Sequence, residues 1–171
     1  MPATKEDLLA RLEALGIETT TTEHPPLFTV EQSQALRGRI PGAHTKNLLL
    51  RDKKKTRIIL VVALEDAEID LKRVHDVIGC GRLSFASPEL LMETLGVPPG
   101  SVTPLALIND PEQRVELVLD QTLLDNEVLN FHPLTNEATT TIARDDFLRF
   151  IDACGHSPRV LALSKAGCGG A

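Results

Sequence analysis

Aromatic side chains are scarce: the 171-residue chain has five Phe, no Trp and no Tyr. A groove in which successive bases stack on a series of rings is all but excluded, and the core must be built from the Leu, Ile, Val and Ala of the periodic segments. Positive charge is also in the minority, with 18 basic against 24 acidic residues and a net charge of -6. Bulk attraction to nucleic acid or to an anionic membrane is therefore no general mode of action, DNA and membrane partners are not expected, and any RNA contact has to be local. No apolar run is long enough to span a bilayer, and residues 1–7 lack the basic-then-apolar layout of a secretory signal, so the expected location is cytoplasmic. Cys80, Cys154 and Cys168 form no CxxC pair; an odd count suits a reducing compartment, and they read as small apolar residues or a tail thiol. The five histidines show no ligand spacing with one another or with the cysteines, so no metal is expected. GxSxG, HExxH, P-loop and GxGxxG signatures are all missing, which removes the serine hydrolase, zinc protease and nucleotide-binding readings.

What remains is a chain of short, alternating elements. Thr4 followed by Asp7 resembles a capping box, and Leu8, Leu9, Leu12 and Leu15 predict a helix over about 5–15 that stops at Gly16. The Thr-rich stretch 17–23 predicts a strand ended by His24-Pro25-Pro26, and Thr29 with Gln32 opens a second, short helix ending near Gly38. Two apolar runs, 46–51 and 57–64, flank a basic turn and predict a central hairpin. Leu71, Val74, Val77 and Ile78 predict a helix over 70–78, Ser87-Pro88-Glu89 caps a helix closing at Gly96, and 145–154 predicts the last helix. Strands are expected at 82–86, 105–108, 115–119, 128–131, 139–143 and 160–163. The expected fold class is α+β, one domain over 1–163 with a mixed, largely antiparallel central sheet flanked by helices, and a frayed Gly-rich tail at 164–171.

Three segments could carry chemistry. Lys46, in His44-Thr45-Lys46-Asn47-Leu48, is a cation at the mouth of an apolar strand, where burial is costly unless an anion meets it; a strand that simply begins with its lysine head in water is the bland alternative. The loop Gly100-Ser101-Val102-Thr103-Pro104 joins a glycine, which permits close backbone approach, to a stiffening proline, so its amides could face an oxyanion. From the residues alone, a plain helix-to-strand connector is the better reading. His132 lies in a turn between two strands with several hydroxyl residues after it. The turn Lys53-Lys54-Lys55 could touch phosphates or be a solvated hairpin tip.

Taken together, Lys46-Asn47-Leu48, the loop 100–104 and His132-Pro133, in this order and at these separations, resemble the editing-domain (YbaK-like) superfamily of prolyl-tRNA synthetase across nearly the whole chain. The stretch Glu23-His24-Pro25-Pro26-Leu27-Phe28-Thr29-Val30-Glu31 leading to Lys46 is most similar to the free-standing deacylases that clear alanine from tRNA(Pro). The resemblance implies trans-editing hydrolysis of mischarged Ala-tRNA(Pro), without a cofactor. It assigns Lys46, Gly100 and Ser101 to catalysis, and Phe28, Val30, Thr45, Asn47, Thr103, Pro104 and His132 to substrate binding; Lys53, Lys54 and Lys55 are the candidate RNA contacts. Mischarged tRNA(Pro) is the implied partner, with prolyl-tRNA synthetase and elongation factor as further ones. Two alternatives stay open: a deacylase for another small residue, Cys or Ser, and a noncatalytic module that binds tRNA or the synthetase.

Overall fold

The computed structural model describes residues 2–26, 40–54 and 56–163. The expected helix after Thr29, the residues Phe28, Val30, Lys55 and Cys168, and the tail lie outside them. Local chemistry sets the first helix, α1 (Lys5–Ala14). Thr4 accepts from the Asp7 amide and the Asp7 carboxylate accepts from the Thr4 amide, so two otherwise orphaned donors at the helix start are satisfied. Helix α2 (Leu71–Ile78) is capped by Asp70 and closed by Gly79 at φ 84°; α3 (Pro88–Leu95) starts at Ser87, whose Oγ accepts from the Leu90 amide. The last helix is α4 (Arg144–Ala153).

The strands are β1 (Thr19–Glu23), β2 (Ala43–Asp52), β3 (Ile58–Leu64), β4 (Leu83–Phe85), β5 (Val115–Asp120), β6 (Val128–Phe131), β7 (Ala138–Ala143) and β8 (Arg159–Leu161). They form one sheet in the order β1-β7-β6-β2-β3-β5-β8, with β4 paired to β2 off this path. The pairs β1–β7, β2–β3, β2–β4 and β6–β7 are antiparallel, whereas β2–β6, β3–β5 and β5–β8 are parallel. The expected α+β domain with a mixed, helix-flanked sheet is what the chain forms.

One expected strand is corrected. Residues 105–108 belong to a 3-10 helix, Pro104–Asn109, started by Thr103, whose hydroxyl accepts from the Leu105 amide. The apolar run that suggested a strand is buried on all sides, with Leu105, Ala106 and Leu107 at 0% exposure; short apolar runs of this kind do not distinguish the two conformations.

The sheet has two apolar faces. On the inner one, Leu49, Leu60, Val62, Leu117 and Leu119 pack with α1, α3 and α4 through Leu8, Leu12, Leu91, Leu95, Phe147 and Phe150, and the rings of Phe131 and Phe147 lie 4.6 Å apart. On the other, Leu50, Ile59, Val61 and Val118 meet Val74 and Ile78 of α2. Each leucine buried in full contributes about 1.5–3 kcal/mol, so the larger inner core dominates the folding energy. No helix among the described residues is long and apolar enough to cross a membrane.

Candidate active site

The site grows out of the alternation of β2. Leu48 and Leu50 face the α2 side and Leu49 faces the inner core; by the two-residue period of a strand, Lys46 stands with Leu48 on the α2 side and Asn47 with Leu49 on the inner side. Strand β6 is aligned with β2 through Ala43↔Leu129 and His44↔Asn130, so Asn130, and His132 beyond it, emerge on the same face as Lys46. Thr139 and Thr141 of β7, and Thr20 and Thr22 of β1, complete a polar surface there. It opens into a cavity of about 280 Å³ lined by Thr20, Thr22, His24, Pro25, Ile40 and Thr141 among others.

Asn130, which the sequence did not single out, fixes this arrangement. Its side chain is 3% exposed, and its Nδ2 donates to the carbonyls of Pro41 at 3.0 Å and Ala43 at 3.3 Å. Its Oδ1 accepts from the Thr141 hydroxyl at 2.6 Å, and its own carbonyl accepts from the Thr45 hydroxyl at 2.7 Å. Gly42 sits at φ 100°, and a Cβ there would come within 2.7 Å of Val128 and 3.0 Å of Asn130 Nδ2, so only glycine lets the chain enter β2 this close to β6. A buried Asn near the end of β6, with three side-chain bonds and a fourth to its carbonyl, is a signal that the hydropathy pattern alone does not isolate.

Lys46 is half-buried. Its Nζ donates to the Ala67 carbonyl, a partner that holds the ammonium in place without cancelling its charge. Burial pushes the His132 imidazole below its ordinary value; nearby His24 adds to the effect, and a contact with the Ala138 carbonyl opposes it. His132 is therefore a neutral imidazole at neutral pH. His24 bridges the Pro25 carbonyl and the Thr139 hydroxyl, each at 2.8 Å, and so anchors the end of β1 to β7.

The other sequence candidates fall in different places. Asn47 is turned away from Lys46, and its buried Oδ1 has no hydrogen-bond partner, so a polar acceptor is held ready on the inner side. Thr45, on the same side, is engaged with β6. Gly100, at φ 92°, lies against the turn after β6, where a Cβ would be 3.6 Å from Asn136 Nδ2; the loop thus approaches the His132 turn. Its amides are not all free, because the Ser101 amide donates to the Pro98 carbonyl at 3.1 Å. Ser101, Thr103 and Pro104 are buried, and the Thr103 hydroxyl serves as a helix cap. Lys53 and Lys54 are exposed at the far end of β2, about 23 Å along the strand from Lys46 at the usual rise per residue.

Among the described residues, the edge of β2 opposite β3 has no strand partner at this point. The Asp52 amide donates to the Arg57 carbonyl and the Glu65 amide to the His44 carbonyl, so even-numbered residues of β2 aim their backbone groups at β3 and odd-numbered ones at the other edge. That edge meets β6 only at Ala43 and His44 and β4 only at Leu50–Asp52. Between them no described strand lies beside the backbone of Asn47, which leaves a gap among the described strands between β2 and β6.

Sequence comparison identifies the chain that contains this gap. A profile of the aminoacyl-tRNA editing domain matches residues 24–150. The chain belongs to that family. It is 42% identical over 159 residues to prolyl-tRNA synthetase associated domain-containing protein 1 of Bos taurus, covering 91% of this chain and 92% of the relative. To the prolyl-tRNA editing protein ProX of Acetoanaerobium sticklandii it is 35% identical over 159 residues, covering 93% and 97%. A crystal structure of a candidate trans-editing enzyme for prolyl tRNA synthetase superposes with a TM-score of 0.68 at 22% identity, over 94% of this editing domain and 98% of that chain, which shows the shared fold.

Proposed function

We propose that this editing domain is a free-standing deacylase that hydrolyses the ester of mischarged Ala-tRNA(Pro) and spares Pro-tRNA(Pro). The observation that carries the reading is that Lys46, its ammonium held by the Ala67 carbonyl, and the buried, neutral His132 imidazole stand on the same face of the sheet, on β2 and just beyond the neighbouring β6. The name of the ProX relative, a prolyl-tRNA editing protein, supports the substrate class.

An aminoacyl ester is already activated, so its hydrolysis needs a positioned water and a stabilised oxyanion more than a covalent nucleophile. Water attacks the ester carbonyl carbon, and the carbonyl oxygen takes up the negative charge. Lys46 offsets that charge, with backbone amides of the 100–104 loop as additional donors. The intermediate collapses by breaking the bond to the ribose oxygen, which takes a proton and leaves as a hydroxyl, releasing alanine and uncharged tRNA. His132 forms part of the wall, and Asn47 Oδ1 offers an acceptor to a donor entering the gap from the inner side.

Selectivity is proposed to come from size. A synthetase pocket built for proline discriminates weakly against a smaller residue, since a methylene is worth about 1–3 kcal/mol. A second pocket that accepts alanine and excludes the pyrrolidine ring supplies the rest. The test is hydrolysis of Ala-tRNA(Pro) beside Pro-tRNA(Pro) by the full chain and by Lys46→Ala. Hydrolysis of the first alone, lost in the variant, is expected. Equal hydrolysis of both would overturn the size sieve, and preference for Cys- or Ser-charged tRNA would reassign the substrate. Binding without any hydrolysis would make the protein a noncatalytic module.

A further inference from the structure

Phe131, Phe147 and Phe150 are buried, whereas Phe85 on β4 keeps 64% of its surface exposed. A lone exposed ring is ordinary on a protein surface; the position of this one is not. Phe85 pairs with Leu50 and so stands on the face of β2 that carries Leu48 and Lys46, about 13 Å from Lys46 along the sheet. The β2–β4 ladder ends beside it, where the Ala86 amide donates to the Leu49 carbonyl, and the stretch of β2 with no described strand partner on this edge begins. Charge is graded along the same strand: Lys53 and Lys54 sit at the hairpin end, with Arg51 and exposed Arg82 on the opposite face of the sheet there, while Glu65, Asp66, Glu68 and Asp70 follow β3 at the Lys46 end. A polyanion reaching Lys46 is therefore drawn in from the hairpin side, across Phe85.

We propose that Phe85 is a stacking platform for an unpaired nucleobase at the 3′ end of the RNA whose ester lies at Lys46. This rests on the deacylase reading for the identity of the RNA, and on the geometry above for the platform. Every base has a π-face, so one ring on a cationic approach binds single-stranded RNA with little sequence preference.

The chain has no Trp and no Tyr, so the emission of a full-length Phe85→Trp variant reports this position alone. Titration with the single-stranded RNA trinucleotide CCA is expected to quench it saturably, and a blunt RNA duplex of equal charge is expected to leave it unchanged. No quench, or equal quenching by both RNAs, would overturn the platform. In deacylation, Phe85→Ala is expected to raise KM for alanyl-tRNA at least about fivefold with kcat nearly unchanged. Phe85→Trp should restore KM and Phe85→Leu should not; restoration by Leu as well as Trp would reduce Phe85 to an apolar contact and overturn stacking. If the wild-type protein hydrolyses alanyl-tRNA while the quench is absent, the platform fails and the editing function stands. If the quench is present and hydrolysis absent, the reverse holds.

Discussion

Lys46 and its neighbours make separable predictions because each side chain has a different structural burden. Lys46 contributes one bond to a backbone carbonyl, so Lys46→Ala should leave the unfolding midpoint almost unchanged and lower kcat about 10²-fold, the scale of deleting one oxyanion donor. Asn47 is the opposite case, since its buried Oδ1 is already unsatisfied in the free protein. Replacing it with leucine, which has the same branched skeleton, removes a desolvated polar group, so Asn47→Leu should leave thermal stability equal or higher while kcat/KM falls; a calorimetric scan paired with a deacylation assay checks both. For His132, burial holds the folded value below the ordinary 6.5. The unfolded chain therefore binds a proton that the folded one resists, and the neutral ring's contribution to stability is complete above pH 6.5 and lost as pH falls through the folded value. The acid limb of activity should follow the same titration and be altered in His132→Asn, as a pH profile of kcat/KM would reveal.

At the level of elements, the helix starts were legible because caps are local: Thr4, Asp70 and Ser87 each bond amides within three residues. The β2–β3 hairpin was legible for the same reason. Residues 105–108 are ambiguous because a four-residue apolar run has no period long enough to discriminate, and Thr103-Pro104, a cap and a first-turn proline, is what starts a 3-10 helix there instead of a strand. The candidate site was half legible. Lys46, the 100–104 loop and His132 stand out by residue type, and because adjacent strand residues point to opposite faces, the sequence also puts Lys46 and Asn47 on different sides. The parallel alignment of β2 with β6 was not readable, since it joins residues 86 apart and depends on Asn130. Asn130→Ala removes donors from two carbonyls and the acceptor of Thr141, and should destabilise the fold by about 1–3 kcal/mol and cost activity besides. Chemical denaturation would show a lowered midpoint; an unchanged one would remove Asn130 from its positioning role.

Across the whole molecule, an acidic chain has to confine its attraction for RNA to one place. Lys53 and Lys54 project from the hairpin with Arg51 behind them, so neutralising Lys53, Lys54 and Lys55 together should weaken capture of tRNA. The salt dependence of KM should flatten, its log–log slope falling by about 0.7–0.9 for each phosphate no longer neutralised. Chemistry on bound substrate should be spared. A salt slope identical to that of the wild type would leave the turn as solvated surface.

The two-residue ladder between β2 and β6 divides the sheet into two leaves, β1-β7-β6 and β2-β3-β5-β8 with β4. Lys46 belongs to one leaf and His132 to the other, so on the proposed function a bound ester spans the seam made by this two-residue ladder and works as a cross-brace. Occupancy should then slow the breathing of the seam, seen as slower deuterium uptake at the amides of 43–47 when a non-hydrolysable alanyl-adenosine analogue is added. A larger aminoacyl ring would have to wedge the leaves apart against two backbone pairs, the bonds of Asn130 and Thr45, and the inner core that packs across both leaves.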